Sequence, residues 1–238
     1  GQGRVVIEEF LDGPEFSFMC LVNGRKLYPL AIARDHKRAF DNDRGPNTGG
    51  MGAYSPVPFV TEEIRETALR TILQPVADAM ADEGVPFTGV LYGGLILHKG
   101  TPKVIEFNAR FGDPETEVVL PRLKSDFYAL LDAAVDGRDF ETEWSADTTL
   151  GIVMAAKGYP GSYEKGYVVR GLENAGKVYH MGTVDREGKI LSSGGRVLMP
   201  VATAPTLAEA RSEAMKAVKA IDCGALFFRS DIGAREAR

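Results

Sequence analysis

The chain has 238 residues, of which 44% are hydrophobic and 26% charged, and its formal net charge is −5. This length suffices for one large domain or two small ones, and the mild acidity gives no reason to expect nucleic acid or an anionic membrane as a partner. The sequence shows no apolar run of bilayer-spanning length and no secretory signal. Cys20 and Cys223 are isolated and lack metal-ligand spacing, so we expect buried thiols in a reducing, cytoplasmic compartment.

The first part of the chain combines strand patterns with one long polar segment. Three strands are predicted near its start, at residues 5–11, 15–22 and 26–33. Residues 34–58 are charged and rich in glycine and proline, and we expect a functional loop there because simple connections are much shorter. A helix is predicted from the N-cap Thr61 to about Glu83, kinked or divided by Pro75.

A second hairpin and a second helix are predicted to follow. The hairpin strands are residues 89–97 and 102–108, with His98-Lys99-Gly100-Thr101 between them. Ser125 is predicted to cap a helix that ends at Gly137.

Residues 138–149 are polar and aperiodic, which predicts a boundary between two units. Beyond it, strands are predicted at residues 150–156, 178–183, 189–192 and 196–201. A helix is predicted from Thr206 to Ile221, with Thr206 and Glu209 forming a capping box.

The segment 104–115 carries the strongest chemical signal. Side chains alternate along a strand, so Ile105 and Phe107 share one face, and Glu106, Asn108 and Arg110 the other. Carboxylate and amide oxygens two residues apart suit a hard cation such as Mg²⁺, and an arginine beside them suits a phosphate. On spacing alone, an amphipathic edge strand with a solvated polar face explains the pattern equally well.

Longer motifs are more specific. The chain contains VVIEEFLDG (5–13), DHKRAFDNDRGPNTGGMGAYSP (35–56), RFGDPETE (110–117) and GGRVL (194–198). In this order they resemble the phosphoribosylamine–glycine ligase family, which belongs to the ATP-grasp enzymes. The resemblance implies an α+β fold. An ATP-grasp antiparallel sheet with flanking helices would occupy residues 1–148, followed by a small mixed α/β C-terminal domain at residues 149–238.

The resemblance also implies a reaction. The family ligates glycine to 5-phosphoribosylamine at the expense of ATP, through glycyl phosphate, in purine biosynthesis, with Mg²⁺ or Mn²⁺ as the metal. The expected partners are therefore these small molecules, with no nucleic acid and no membrane, and the oligomeric state stays open. Family members carry a substrate domain and an ATP lid before this point, so we expect this chain to be the C-terminal part and inactive alone.

Individual residues match positions of the family's site. Those implied for the adenine and ribose of ATP are Glu8, Glu9, Phe10, Leu11 and Glu15. Those implied for the metal are Glu106 and Asn108, with Arg110 beside the transferring phosphoryl group. Those implied for the substrates are Asp35, Lys37, Asn47, Gly49, Gly50 and Asp113.

Alternatives remain open at this point. Glu8 and Glu15 could be solvated surface charges, and the segment 34–58 could be a flexible charged loop. Tyr92 stands where many ATP-grasp enzymes have a further acidic ligand, which leaves the number of ions open. The protein could also be another ATP-grasp carboxylate–amine ligase or carboxylase, or a nucleotide-binding fragment without activity.

Overall fold

Antiparallel strands dominate the computed structural model, which describes residue 5 and residues 7–237. The strands are β1 (Glu15–Asn23), β2 (Lys26–Pro29), β3 (Arg34–Asp35), β4 (Arg38–Phe40), β5 (Arg44–Asn47), β6 (Gly52–Ser55), β7 (Thr88–His98), β8 (Thr101–Asn108), β9 (Thr148–Ile152), β10 (Met154–Ala156), β11 (Lys177–His180), β12 (Thr183–Arg186), β13 (Lys189–Ser192), β14 (Arg196–Ala204) and β15 (Leu226–Phe227). The α-helices are α1 (Glu62–Ala68), α2 (Gln74–Asp82), α3 (Thr116–Val119), α4 (Phe127–Asp136) and α5 (Leu207–Ala220). Short 3₁₀ turns lie at Leu120–Arg122 and Leu172–Asn174. The α+β class expected from the sequence is confirmed.

The first sheet has the strand order β2-β1-β7-β8. Its central strand β1 is apolar on both faces and is buried from Phe16 to Val22, because helices and the second sheet cover it on either side. The hairpin β7–β8 turns at Lys99-Gly100, where both residues have positive φ. This hairpin carries the segment that holds Glu106 and Asn108.

The second sheet has the order β15-β10-β14-β9-β6-β3, with β11 also paired to β14. Its strands come from both sides of the predicted boundary, because β6 pairs with β9 in the register Gly52↔Ile152 to Ser55↔Thr149. The division at residue 149 stays a prediction, but backbone hydrogen bonds are continuous across it.

Two predictions about the first part of the chain were wrong. Residues 34–58 contain the four short strands β3 to β6 rather than one loop. Strands of two to four residues are too short to show a detectable period, although β3 pairs with β6 and β4 with β5 inside the segment. Residue 5 and residues 7–11 form no strand. Ile7 is 93% exposed, so the apolar residues of this segment do not mark a buried strand. Val6, also in that predicted strand, lies outside the described residues.

The helix predicted over residues 61–83 is divided where proline requires it. Thr61 caps α1 by accepting a hydrogen bond from the Ile64 N–H. A π-helical turn at Leu69–Leu73 then precedes Pro75, and the Gln74 N–H donates to the carbonyl of Leu69. The wider turn adapts the backbone to a residue that has no N–H to donate.

The two other helices test the predicted caps. Asp126, and not Ser125, caps α4, because its carboxylate accepts from the Ala129 N–H at 2.9 Å. The Ser125 hydroxyl instead accepts from the Glu143 N–H. The capping box of α5 is confirmed, with Thr206 and Glu209 bonded reciprocally. Among the helices within residues 7–237, none has the length and apolarity needed to cross a membrane.

Leu150 should be among the most stabilising side chains of the second sheet. It is 0% exposed on β9, between β6 and β14, so Leu150→Ala should lower the free energy of unfolding by about 2–5 kcal/mol. Urea unfolding measures the change. The matched control is Val85→Ala, which truncates a side chain that is 56% exposed and should have little effect. Equal losses in both variants would contradict this account of the core.

Candidate functional site

A β-bulge aims Glu106 into the candidate site. Gly94 on β7 faces Glu106 and Leu95 faces Val104, so Ile105 is the extra residue on β8. Gly94 leaves room for the glutamate, since a Cβ there would lie 3.1 Å from the Glu106 Cγ. The simple alternation predicted for this strand is therefore interrupted one residue before the carboxylate.

Three adjoining cavities surround this strand. The nucleotide cavity, of about 620 Å³, is lined by Glu8, Glu9, Phe10, Leu11, Glu15, Thr71, Ile72, Ile96, Pro102, Lys103, Val104 and Ile105. The acidic cavity, of about 260 Å³, is lined by Asp35, Lys37, Asn47, Thr48, Gly49, Tyr92, Glu106, Asn108, Arg110, Gly112, Asp113 and Glu115. A third cavity, of about 430 Å³, shares Glu15 with the first and Glu106 with the second.

The residues predicted to bind the adenine and ribose of ATP thus line a different cavity from most of those predicted to bind the metal, the phosphoryl group and the substrates. All five predicted nucleotide residues line the nucleotide cavity. The predicted metal, phosphoryl and substrate residues line the acidic cavity, except Gly50. Their roles stay predictions. A further cavity, of about 760 Å³, lies around Tyr163, Tyr167 and Cys223 in the second unit, and its lining includes none of the predicted site residues.

Lys37 connects the nucleotide and acidic cavities. Its ammonium nitrogen lies 3.6 Å from the Glu15 Oε2 and 3.6 Å from the Glu106 Oε1. Burial alone would lower the pKa of Lys37, but the two carboxylates outweigh it and the pKa is raised. A permanent positive charge therefore stands between the predicted ribose residue and the predicted metal ligand.

Glu115 is the buried anchor of the acidic cavity. Its Oε1 accepts hydrogen bonds from the Ser17 and Tyr92 hydroxyls, each at 2.7 Å. Tyr92 lies directly opposite Asn108 in the hairpin. Burial, and then the Glu115 carboxylate, raise the pKa of Tyr92 above its usual range. Tyr92 is thus a hydrogen-bond donor that orients a carboxylate, at the place where a further acidic ligand was considered.

Asp35 is the second buried carboxylate. Its Oδ1 has no hydrogen-bond partner among the described residues, and burial, followed by the proximity of Glu115, raises its pKa well above the usual range. Gly50 packs against it with φ of 112°. A Cβ at Gly50 would lie 2.6 Å from that oxygen and 2.4 Å from Pro114 Cδ. Only glycine allows this close approach, which gives Gly50 a structural reason for its place beside the cavity.

Arg196 joins two walls of the acidic cavity. Its Nη1 donates to the carbonyl oxygens of Gly49 and Asp113, at 2.8 and 2.9 Å, and lies 2.8 Å from the Asp113 carboxylate. The residue comes from β14 in the second unit. The glycine-rich segment and the turn after β8 are therefore fixed to each other by one guanidinium group.

Arg110 has no carboxylate partner among the described residues. Its Nη1 donates to the neighbouring carbonyl of Phe111 at 2.8 Å, and the residue is exposed. The guanidinium is thus available to an anion in the cavity that it lines.

The donor atoms of the acidic cavity fit a hard divalent cation. Glu106 and Asn108 offer carboxylate and amide oxygens, and no group of three or more histidine, cysteine, aspartate or glutamate side chains arranged for a metal occurs within the described part of the chain. Mg²⁺ is commonly bound by one or two protein oxygens together with water and substrate phosphates. The residues therefore fit a metal that arrives with a nucleotide better than one held permanently.

Sequence reasoning missed three contributors to this geometry. Glu115 and Arg196 lie inside the motifs RFGDPETE and GGRVL, so the motifs were found but not the contacts. Ser17 lies in an apolar strand, and nothing in its local sequence points to the carboxylate it meets 98 residues later.

Two family models match this chain. The model described as phosphoribosylglycinamide synthetase, ATP-grasp (A) domain, matches residues 1–116, and the C domain model of the same synthetase matches residues 149–235. A phosphoribosylamine–glycine ligase from Halalkalibacterium halodurans is 51% identical over 235 residues, covering 98% of this chain and 55% of the relative. The chain thus spans about half the length of the curated relatives it matches.

Solved structures agree. The crystal structure of phosphoribosylamine–glycine ligase from Thermotoga maritima superposes with a TM-score of 0.88 at 36% identity, covering 94% of this chain and 57% of that chain. The biotin carboxylase subunit of pyruvate carboxylase superposes with a TM-score of 0.62 at 13% identity, covering 92% and 48%. The second likeness shows a shared fold alone.

Glu117, beside the acidic cavity, should make stability depend on pH. Its Oε2 is buried without a partner among the described residues, and burial, then Asp113, raise its pKa from 4.5 to about 7. The folded state therefore binds more protons than the unfolded state between these values, so stability should fall as pH rises from about 4.5 to about 7.

The substitution Glu117→Gln should flatten that part of the profile. The difference in stability between pH 4.5 and pH 8 should become smaller than in the unsubstituted protein. Urea unfolding across this range measures it, with the exposed Glu83→Gln as the control for losing a surface charge. A profile of unchanged slope in Glu117→Gln would contradict the prediction.

Proposed function

The chain belongs to the phosphoribosylglycinamide synthetase family, and we propose that it supplies the ATP- and metal-binding part of a phosphoribosylamine–glycine ligase. The proposed reaction joins glycine to 5-phosphoribosylamine and converts ATP to ADP and phosphate in purine biosynthesis. Because the curated relatives are nearly twice as long, the complete reaction is proposed for the complete protein. A cytoplasmic location is part of the proposal, supported by the free thiols of Cys20 and Cys223.

The continuity of the cavities is the observation that carries the proposal. The nucleotide cavity has room for a nucleoside, and Glu15, Lys37 and Glu106 lie in a row from it into the acidic cavity. A nucleotide whose base lies near residues 8–11 would extend its phosphates toward Lys37. Glycine would then meet the terminal phosphate within the acidic cavity.

The first proposed step is transfer of the γ-phosphoryl group to glycine. A carboxylate oxygen of glycine attacks the γ-phosphorus, the bond to the bridging oxygen of ADP breaks, and glycyl phosphate forms. Lys37 and Arg110 would offset the negative charge that the two reactants bring together. Phosphoryl transfer needs positioning and charge stabilisation more than covalent participation of the protein, which agrees with a cavity built from fixed charges.

Glu106 and Asn108 would hold the metal, which supplies charge neutralisation at the phosphate oxygens when bound. Glu115 would then act indirectly. Held by Ser17 and Tyr92, it keeps a fixed negative potential beside Asn108. This negative potential would favour a cation at the amide and carboxylate ligands.

The second proposed step is attack by the amine of 5-phosphoribosylamine on the carbonyl carbon of glycyl phosphate. The carbon–nitrogen bond forms, phosphate leaves, and the amine loses a proton. The walls around Gly49 and Asp113, joined by Arg196, would keep the acyl phosphate within reach of the amine and limit access of water.

Substrate omission tests the proposal. The complete protein should form ADP over many turnovers only when ATP, Mg²⁺, glycine and 5-phosphoribosylamine are all present, and mass spectrometry should detect glycinamide ribonucleotide. Bicarbonate in place of glycine is the arm that would reveal a carboxylase. Bicarbonate-dependent ADP formation without a response to glycine would reject the ligase.

Glu106→Gln in the complete protein should lower kcat roughly 100-fold or more, because one charged ligand of the metal is lost where phosphoryl charge develops. Steady-state kinetics at several Mg²⁺ concentrations measure it. The exposed Glu141→Gln serves as the matched control, and circular dichroism checks the fold. Near-normal turnover with an unchanged Mg²⁺ dependence would remove Glu106 from the metal site.

Glu15→Ala should raise the KM for ATP about tenfold or more and affect kcat less, because a ribose contact is present in ground and transition states alike. The control is Glu9→Ala. Its carboxylate pairs with Lys103 at 2.8 Å, and the family resemblance implies that Glu9 contacts adenine through its main chain, so the effect of this substitution should be smaller. A loss confined to kcat in Glu15→Ala would assign Glu15 to chemistry instead.

A further inference from the structure

The β4–β5 hairpin forms one wall of the acidic cavity. Lys37 precedes β4 and Asn47 ends β5, and both residues line the cavity. At the base of the hairpin, the Thr48 N–H and hydroxyl both donate to the Lys37 carbonyl, each at 2.8 Å. A two-stranded hairpin is at best marginally stable by itself. The placement of Lys37 and Asn47 therefore depends on what holds the other end.

The tip of the hairpin, residues 41–43, is bound by residues 229–231, which we call the C-terminal clamp. The Ser230 N–H donates to the Asp41 Oδ1 at 2.8 Å, and the Ser230 hydroxyl donates to the other oxygen. The Asn42 N–H donates to the Asp231 Oδ2 at 2.8 Å. The tip and the clamp are 189 residues apart in sequence, so these contacts are purely tertiary.

Arg229 is the centre of the clamp and is only 1% exposed. Its Nη2 donates to Asp43 at 2.9 Å, and its Nε and Nη2 each donate to Asp231 at 2.8 Å. Its Nη1 donates to the carbonyl of Arg38 on β4 at 3.0 Å. Burial alone would raise the pKa of Asp231, but hydrogen bonds from Arg229 and from the Asn42 N–H lower it to about 2. Arg229 is buried although its carboxylate partners are partly exposed, so removing a partner leaves a buried charge less well compensated, which is costly.

The clamp also holds the backbone of the tip. Asn42 and Asp43 have φ of 60° and 53°, the left-handed region, which Asn and Asp adopt more readily than other residues with a side chain but still at some cost. Such conformations persist when the surrounding structure over-determines them. The clamp supplies that constraint through the side chain of Asp43 and the backbone of Asn42.

We infer that Arg229 is a positioning residue for the glycine-binding wall, acting through the hairpin that carries Lys37 and Asn47. The inference rests on the proposed function. Among the described residues, those lining the nucleotide cavity include no part of this hairpin. Lys37 also lies toward the proposed phosphates of ATP, but the residues proposed for the adenine and ribose keep their places. Loss of the clamp should therefore affect glycine more than ATP.

The test compares Arg229→Lys and Asp43→Asn in the complete protein. Lysine keeps the charge but cannot form the multiple directed bonds of the guanidinium. Asp43→Asn removes the ion pair to Asp43, keeps the size of the side chain and leaves the pair with Asp231 in place. The matched control is Arg235→Ala, which removes an exposed arginine 3.4 Å from the same Asp43. Two quantities are measured in each variant: the KM values for glycine and ATP, and the hydrogen-exchange protection of amides in residues 37–48.

Arg229→Lys should raise the KM for glycine about tenfold, raise the KM for ATP by less, and speed amide exchange in the hairpin. Asp43→Asn should act in the same direction with a smaller effect, and it decides the matter if Arg229→Lys does not fold. Unchanged exchange in a folded variant, or equal losses for ATP and glycine, would overturn the inference. If the unsubstituted protein shows no glycine-dependent turnover, the proposed function fails, while the exchange data still decide whether Arg229 holds the hairpin.

Discussion

The pairing of β6 with β9 is the constraint on which the candidate site depends. It joins residues 52–55 to residues 149–152 in one antiparallel register, so the second sheet runs through both units. β14 is bonded next to β9 and begins with Arg196, which consequently lies against Gly49 and Asp113. If this register slipped by one residue, the side chains of β6 would exchange faces, and these contacts would be lost together.

Within that frame, the acidic cavity balances carboxylates against a few fixed cations. Burial raises the pKa of Asp35 and of Glu117, and Lys37 offsets part of the negative charge. Such a site has an electrostatic cost in the absence of ligand, because several groups that favour water are held away from it. A metal ion would offset the carboxylates, and the phosphates of a nucleotide would offset the fixed cations and the metal. Each ligand would therefore favour binding of the other.

How well a feature could be predicted depends on the length of its local sequence pattern and on how far apart in the chain the contacting residues lie. The strands β1, β7 and β8 have long local patterns and were predicted to within a residue or two. The short strands β3 to β6 were missed because two to four residues show no detectable period. The pairing of β6 with the distant β9 also leaves no local signal. The residues lining the cavities were recognised through motifs, whereas the bond from Ser17 to Glu115 and the clamp at Arg229 arise only from the folded arrangement.

The π-helical turn between α1 and α2 has a consequence for how this helix tolerates changes in length. A π-helical turn is equivalent to one residue inserted into a regular α-helix. Thr71 and Ile72, inside the turn, face the nucleotide cavity, while Ala68 before it and Ala77 after it both face the core. Deleting one residue would restore regular winding and rotate α1 relative to α2 by about 100°. Either a buried alanine would then leave the core, or Thr71 and Ile72 would leave the wall of the nucleotide cavity. The one inserted residue therefore allows both the core packing and the cavity wall.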